Sequence, residues 1–168
     1  VFDIAFIQDL VGLGHRICVV GKADNASNDA TVDDLRDIAN YTQFRPSISD
    51  YRGENSYPQF RNLQLAIRDG VVTFISSGSK TIGTNLYQAT PEFANAVMEA
   101  DLVISKGQGN FFTTFGWAKD TFYLLLSKGL TAEQSTGVVA DKTLPVDGLI
   151  LAYVPGGTKP NGTLRDIC

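Results

Sequence analysis

The residues of this chain best suited to chemistry stand near its middle, in the run Asp101-Leu-Val-Ile-Ser105-Lys106-Gly-Gln-Gly-Asn110. An apolar, strand-like stretch ends there on a lysine, a Gly-x-Gly and an asparagine. A strand that stops on glycines lets its backbone come close to a ligand at the carboxyl end, because no Cβ stands in the way. Lysine adds a compact positive charge and asparagine a neutral amide, which together suit phosphate or another anionic oxygen group. Spacing alone leaves a second reading equally open: a strand, a Gly-rich turn and a solvated lysine.

A second polar cluster lies upstream, in Ser27-Asn28-Asp29-Ala30-Thr31. Taken alone, Asp29 reads first as a turn or cap residue ahead of a helix. The functional reading is a hard-metal ligand, since carboxylate and amide oxygens suit Mg²⁺ or Mn²⁺. A third cluster, Ser76-Ser-Gly78-Ser79-Lys80, continues to Gly83-Thr84 and offers another Gly-rich turn. The lone His15 precedes a strand and has no serine or cysteine partner in a recognisable motif, so it gives no evidence of a nucleophilic triad.

The elements that must position these clusters follow from periodicity and punctuation. An apolar helix spans about 2–12, and a strand follows Gly14 at 16–20. The next helix runs from about Thr31 to Asn40, with a hydroxyl cap and the acidic Asp33 and Asp34 in its first turn. Residues 41–59 form a long polar and aromatic excursion, and 60–69 add a short helix that ends at Gly70. A buried strand is expected at 71–75, and a helix opens at Thr90-Pro-Glu92 with a capping hydroxyl. Further strands are expected at 101–105, 138–140 and 149–154, with a fourth strand or a buried segment at 122–126 and a short helix at 131–136. Gly12-Leu-Gly14 sits after a helix and before a strand, the reverse of a dinucleotide-binding turn, and is rejected as one.

Strands alternating with helices argue for an α/β domain: a three-layer α/β/α sandwich with a mainly parallel, Rossmann-like sheet. Ligands in such sheets bind beyond the carboxyl ends of the strands. Segments 21–31, 76–84 and 106–110 each follow a strand directly, so they should converge on one edge of the sheet. Residues 1–155 read as the C-terminal part of one domain and 156–168 as an irregular tail.

Composition sets the outer bounds. With 168 residues and 43% hydrophobic content, the chain supports one domain with a real core. A net charge of −4 argues against a general nucleic-acid binder. No apolar run approaches about 18 residues, so no membrane span is expected. Cys18 in a strand and Cys168 at the last position make neither a metal spacing nor a disulfide framework. Cys18 is expected to be a reduced core residue, which favours an intracellular, cytoplasmic setting. The chain starts at Val1-Phe2-Asp3, already inside a helical pattern, and so reads as a fragment.

Four motifs in order resemble the damage-control phosphatase family, which also contains proteins described as acidic-residue methyltransferases. They are Asn28-Asp29 followed by Asp33-Asp34-Leu35; Ser76 to Thr84; Lys106-Gly-Gln-Gly-Asn110-Phe111; and Phe122-Tyr-Leu-Leu-Leu-Ser-Lys128. The resemblance covers roughly residues 1–140, and the ordered set is more specific than any one motif. It implies a divalent-metal site, with Mn²⁺ first and Ni²⁺, Co²⁺ or Mg²⁺ as alternatives. It makes Asp29 the downstream metal aspartate, accompanied by Asn28. Lys106 and Lys128 would face a substrate phosphate, with Gly78, Ser79, Gly107 and Asn110 around it, and Asp29 and Lys106 would carry catalysis. The family's Asp-Asn-Ala-Gly-Glu motif, which normally precedes a Phe-Asp such as Phe2-Asp3, is absent here. Asp24-Asn25-Ala26 lacks the following Gly-Glu and is a poor substitute. An acidic residue near Lys80 and a glutamate near Phe112, both frequent in the family, are also replaced.

The implied activity is metal-dependent hydrolysis of small phosphorylated metabolites such as sugar phosphates. Two rival readings stand beside it. One is methyl transfer from S-adenosylmethionine to a protein carboxylate, for which no Gly-x-Gly-x-Gly follows a first strand. The other is a catalytically inactive fragment, favoured by the missing upstream ligands.

Overall fold

The computed structural model describes residues 2–26, 29–41, 58–126 and 148–157. It has an α/β fold of mixed topology. Contacts divide the chain into two compact units, residues 1–80 and 81–168.

The first unit contains helix α1 (Phe2–Gly12), strand β1 (Ile17–Gly21), helices α2 (Val32–Tyr41) and α3 (Pro58–Arg68), and strand β2 (Val72–Ser76). β1 and β2 pair in parallel, with Ile17 opposite Val72 and Gly21 opposite Ser76. Their inward side chains meet α1 and α3 in one apolar core. Leu63, Ala66 and Val72 are buried there, and Ile4, Ile7, Val11, Ile17, Val19 and Phe74 pack around them. Side chains alternate across a strand, so Ile17 and Val19 face this core while Cys18 and Val20 fall on the opposite side. Cys18 is exposed, which corrects its assignment to the core.

α2 begins with the hydroxyl cap expected of Thr31. Thr31 Oγ1 accepts from the Asp34 amide at 3.1 Å, and the Asp34 carboxylate accepts from the Thr31 amide at 2.8 Å. Two helix-end donors are thereby satisfied reciprocally. The Thr31 hydroxyl and amide hold the Asp34 carboxyl below its ordinary range.

The second unit contains a 3₁₀ turn (Leu86–Gln88), helix α4 (Pro91–Glu99), strand β3 (Val103–Lys106), helix α5 (Gln108–Thr114) and strands β4 (Thr121–Leu126) and β5 (Leu149–Val154). The strand order is β3-β4-β5. β3 pairs with β4 in parallel, whereas β4 pairs with β5 antiparallel. α4 starts as its sequence demands, with Thr90 Oγ1 accepting from the Phe93 amide and Pro91 in the first turn.

Along β4, Thr121, Tyr123 and Leu125 are buried, and the residues between them are not. Phe111 of α5 meets Tyr123 edge to face, with ring centroids 5.1 Å apart, and Leu125 and Val154 complete the core. The Tyr123 hydroxyl donates to the Thr114 carbonyl at 2.8 Å, so the ring's polar tip is satisfied inside the core.

The boundaries around Lys106 differ from the sequence expectation. β3 begins at Val103 rather than 101 and includes Lys106 as its last residue. Gly107 alone turns the chain, and helix α5 starts at Gln108 in place of the expected Gly-rich turn. The helix and strand expected at 131–136 and 138–140 lie outside the described residues, as does most of the 41–59 excursion.

β5 ends against Asp120. Its Oδ1 accepts from the Gly156 amide and its Oδ2 from the Tyr153 hydroxyl, both at 2.8 Å. The Gly156 amide first, and the Tyr153 hydroxyl second, hold the Asp120 carboxyl below its ordinary range. A depressed folded value makes this contribution complete above the ordinary aspartate pKa of about 3.9 and removes it as pH falls through the folded value. Asp120→Asn is therefore expected to flatten the acid side of the stability profile. Denaturant midpoints measured from about pH 6 down to about pH 2 check this, and identical acid limbs in the two proteins would refute it.

Candidate active site

In the first unit, the segments that follow β1 and β2 meet. The Ser77 amide donates to the Gly21 carbonyl at 2.8 Å, and the Ala23 amide donates to the Ser79 carbonyl at 3.1 Å. Gly78 has a φ of +82°, and its amide donates to Ser76 Oγ. Ser79 is fully buried, and its amide donates to Ser77 Oγ.

The loop after β1 closes back onto the strand. The Lys22 amide donates to the Ala30 carbonyl at 2.9 Å, and the Val32 amide donates to the Lys22 carbonyl at 3.0 Å. Asp29 returns its own amide to the Ala26 carbonyl. Inside this closed loop lies a residue that sequence reasoning passed over. Lys22 is 5% exposed, and its Nζ stands 3.6 Å from Asp29 Oδ2. Burial pulls the Lys22 ammonium below the usual lysine range, and Asp29 opposes that shift. Asp29 itself is partly open to solvent, its side chain 42% exposed. A lysine directly after a strand-ending glycine carries no local signal of burial, because the cover comes from residues 30–32.

Asn28 lies outside the described residues. Among the described residues, no three His, Cys, Asp or Glu side chains gather as a metal site. A hard divalent cation wants about six oxygen ligands. Asp29 offers one carboxylate, and the described residues alone do not complete a site.

In the second unit, residues 82–84 meet the first turns of α5. Gly83, at φ +76°, stands against the Gly109 carbonyl and the Thr113 side chain. The Thr84 amide donates to Thr113 Oγ1 at 2.8 Å, and the Thr84 hydroxyl donates to Asn110 Oδ1 at 2.9 Å. Asn110 Nδ2 then donates to the Lys106 carbonyl at 2.7 Å. Thr114 Oγ1 donates to the Asn110 carbonyl, tying the same turn to the Tyr123 core.

Lys106 closes β3 with its side chain exposed, although partial burial of the ammonium pulls its pKa below the usual lysine range. Gly107 has a φ of +89°, and nothing lies within 4 Å of where its Cβ would stand. Lys128 lies outside the described residues. Among the described residues, no helix is long and apolar enough to cross a membrane.

The damage-control phosphatase ARMT1-like domain model matches residues 1–138. The chain belongs to this family. It is 28% identical over 149 residues to the uncharacterized protein MJ0202 of Methanocaldococcus jannaschii, a match covering 86% of this chain and 40% of that protein. It is also 28% identical over 130 residues to the damage-control phosphatase PH1575 of Pyrococcus horikoshii, covering 76% of this chain and 35% of that one. The crystal structure of PH1575, a DUF89 family protein, superposes with a TM-score of 0.52 at 25% identity, over 85% of this chain and 38% of that one. The chain thus spans well under half the length of these relatives.

Within this family member, Gly83 is the residue whose replacement should be costliest near the Lys106 turn. An added Cβ would meet the Gly109 carbonyl at 2.5 Å, on a backbone that disfavours any side chain. Gly83→Ala is expected to destabilise the protein by about 2 kcal/mol or more. Gly157→Ala, at φ +73° with nothing nearby, should cost about 1 kcal/mol from the backbone alone. Urea unfolding of both variants checks the comparison, and equal losses would show that the Gly83–Gly109 contact is slack.

Proposed function

We propose that this chain carries phosphate- and metal-facing residues of a metal-dependent phosphatase acting on small phosphorylated metabolites, sugar phosphates among them. Its frame would be a three-layer α/β/α domain with a mainly parallel, Rossmann-like sheet. The observation that carries this reading is the Lys106 turn. A partly desolvated ammonium closes a parallel strand, and the next residue is a glycine with open space beside it. A cation that has lost part of its hydration gains more from an anionic partner than a fully solvated one does. The name of PH1575 as a damage-control phosphatase, at 28% identity, supports the same chemistry.

Phosphoryl transfer is catalysed mainly by positioning and by compensating charge on the phosphoryl oxygens. Lys106 would supply that compensation, and Gly107 would let the backbone approach the ligand. Asn110 would donate to a substrate oxygen, and Lys128 would add a second cation. Gly78 would give backbone access in the other Gly-rich turn, with Ser79 holding that turn in place. Asp29 would be one oxygen ligand to Mn²⁺, or to Ni²⁺, Co²⁺ or Mg²⁺, with Asn28 a second. A bound ion of this kind polarises phosphoryl oxygens and acidifies water. Lys22 would keep the Asp29 carboxylate oriented.

Lys106→Ala is expected to lower the rate of phosphate release more than tenfold, equivalent to more than about 1.4 kcal/mol of barrier stabilisation. Lys106→Arg should not restore it, since a planar guanidinium does not replace a compact ammonium. Release of inorganic phosphate from a panel of sugar phosphates, assayed with Mn²⁺, checks both. Unchanged turnover in Lys106→Ala would remove the phosphate-binding role.

A further inference from the structure

Resting on the phosphate-binding reading of the Lys106 turn, we propose that Thr84 is a positioning residue that fixes the amide of Asn110 for ligand binding. The amide orientation follows from its neighbours. The Lys106 carbonyl can only accept, so the Asn110 group 2.7 Å from it must be Nδ2. The other end, Oδ1, therefore faces the Thr84 hydroxyl at 2.9 Å and takes its proton. Nδ2 carries two hydrogens, and one is spent on Lys106. No described residue takes the second, which is left for an anionic oxygen.

Thr84 is itself held from two sides. Its amide donates to Thr113 Oγ1 at 2.8 Å, and the preceding Gly83 lies against the Gly109 backbone. Its hydroxyl therefore reaches Asn110 from a fixed backbone. Without that hydroxyl, Oδ1 of a half-buried amide loses its protein donor, and the amide is held at one end only, by the Nδ2 bond to the Lys106 carbonyl. A carboxylate at the same place would set an acceptor against the Lys106 carbonyl, so Asn110→Asp cannot substitute for the amide.

The test uses the intact chain, with inorganic phosphate as the probe and NMR as the readout. In the wild type, phosphate should shift the Gly107 and Gly109 amides and the Asn110 side-chain amide together. Thr84→Val should weaken phosphate binding about three- to tenfold, the effect of losing one hydrogen bond. It should also move the Asn110 side-chain amide signals toward solvent-exposed positions. Thr84→Ala, which adds no bulk, is the second variant and should behave alike. Thr84→Ser should restore both readouts to within about twofold, because it returns the hydroxyl without the methyl. In turnover, KM should rise with kcat nearly unchanged, a split that general loss of fold would not give. Phosphate binding that is unchanged in Thr84→Val and Thr84→Ala would overturn this inference alone. A wild type that binds no phosphate, with Lys106→Ala equally silent, would overturn it together with the phosphatase reading.

Discussion

Strands paired in parallel finish side by side, and this constraint orders the rest of each unit. In the first, Gly21 and Ser76 stand in register at the ends of β1 and β2, so the segments that leave them start as neighbours. The Ser77 amide reaches the Gly21 carbonyl at once. In the second, Lys106 stands opposite Leu124, and the Gly107 amide donates across to the Leu124 carbonyl at 2.9 Å. That single bond sets where the chain turns and hence where α5 begins. Parallel pairing also demands crossovers. The chain spends α2 and α3 on one and α5 on another; α3 brings Leu63 and Ala66, and α5 brings Phe111, into the apolar clusters of the strands.

Tyr123 joins the apolar and polar halves of the second unit. It is fully buried, with its ring against Phe111 and its hydroxyl on the Thr114 carbonyl. Burial raises its pKa, so the hydroxyl stays neutral and keeps donating. The C-terminal end of α5 is thereby anchored in the core, while its N-terminal end carries Asn110 and the Lys106 turn. A rigid element supporting a polar turn is the arrangement that recognition sites need.

Much of this was legible in the sequence because local physics decided it. The helix starts at Thr31 and Thr90 were set by capping hydroxyls, and β4 showed itself as a short apolar run at 122–126. Where sequence reasoning stopped short, the deciding partner was distant. Gly107-Gln-Gly109 reads as a turn because glycine weakens helices, yet Phe111 packing on Tyr123 draws the segment into α5. Cys18 lies in a uniformly apolar strand, Ile17-Cys-Val-Val20, and such a run does not say which side has cover. Lys22 is buried by a return of the chain eight to ten residues later, and no pattern around it announces that. Thr84 belonged to a recognised motif, but its bond to Asn110 spans 26 residues. Asp29 drew attention as a candidate metal ligand by its chemistry and by family resemblance, whereas its pairing with Lys22 carried no sequence signal.

The backbone contact between Gly83 and Gly109 also has a dynamic meaning. Surface segments commonly fluctuate on the nanosecond-to-microsecond scale, independently of the elements they join. Residues 82–84 have no such independence. Their glycine touches the helix backbone, and Thr84 is bonded to two side chains of the same helix. Any excursion of this segment must carry the first turns of α5 along, and α5 is pinned by Phe111 and Thr114. Opening the segment is thus a correlated event that belongs with slow local unfolding rather than with loop motion.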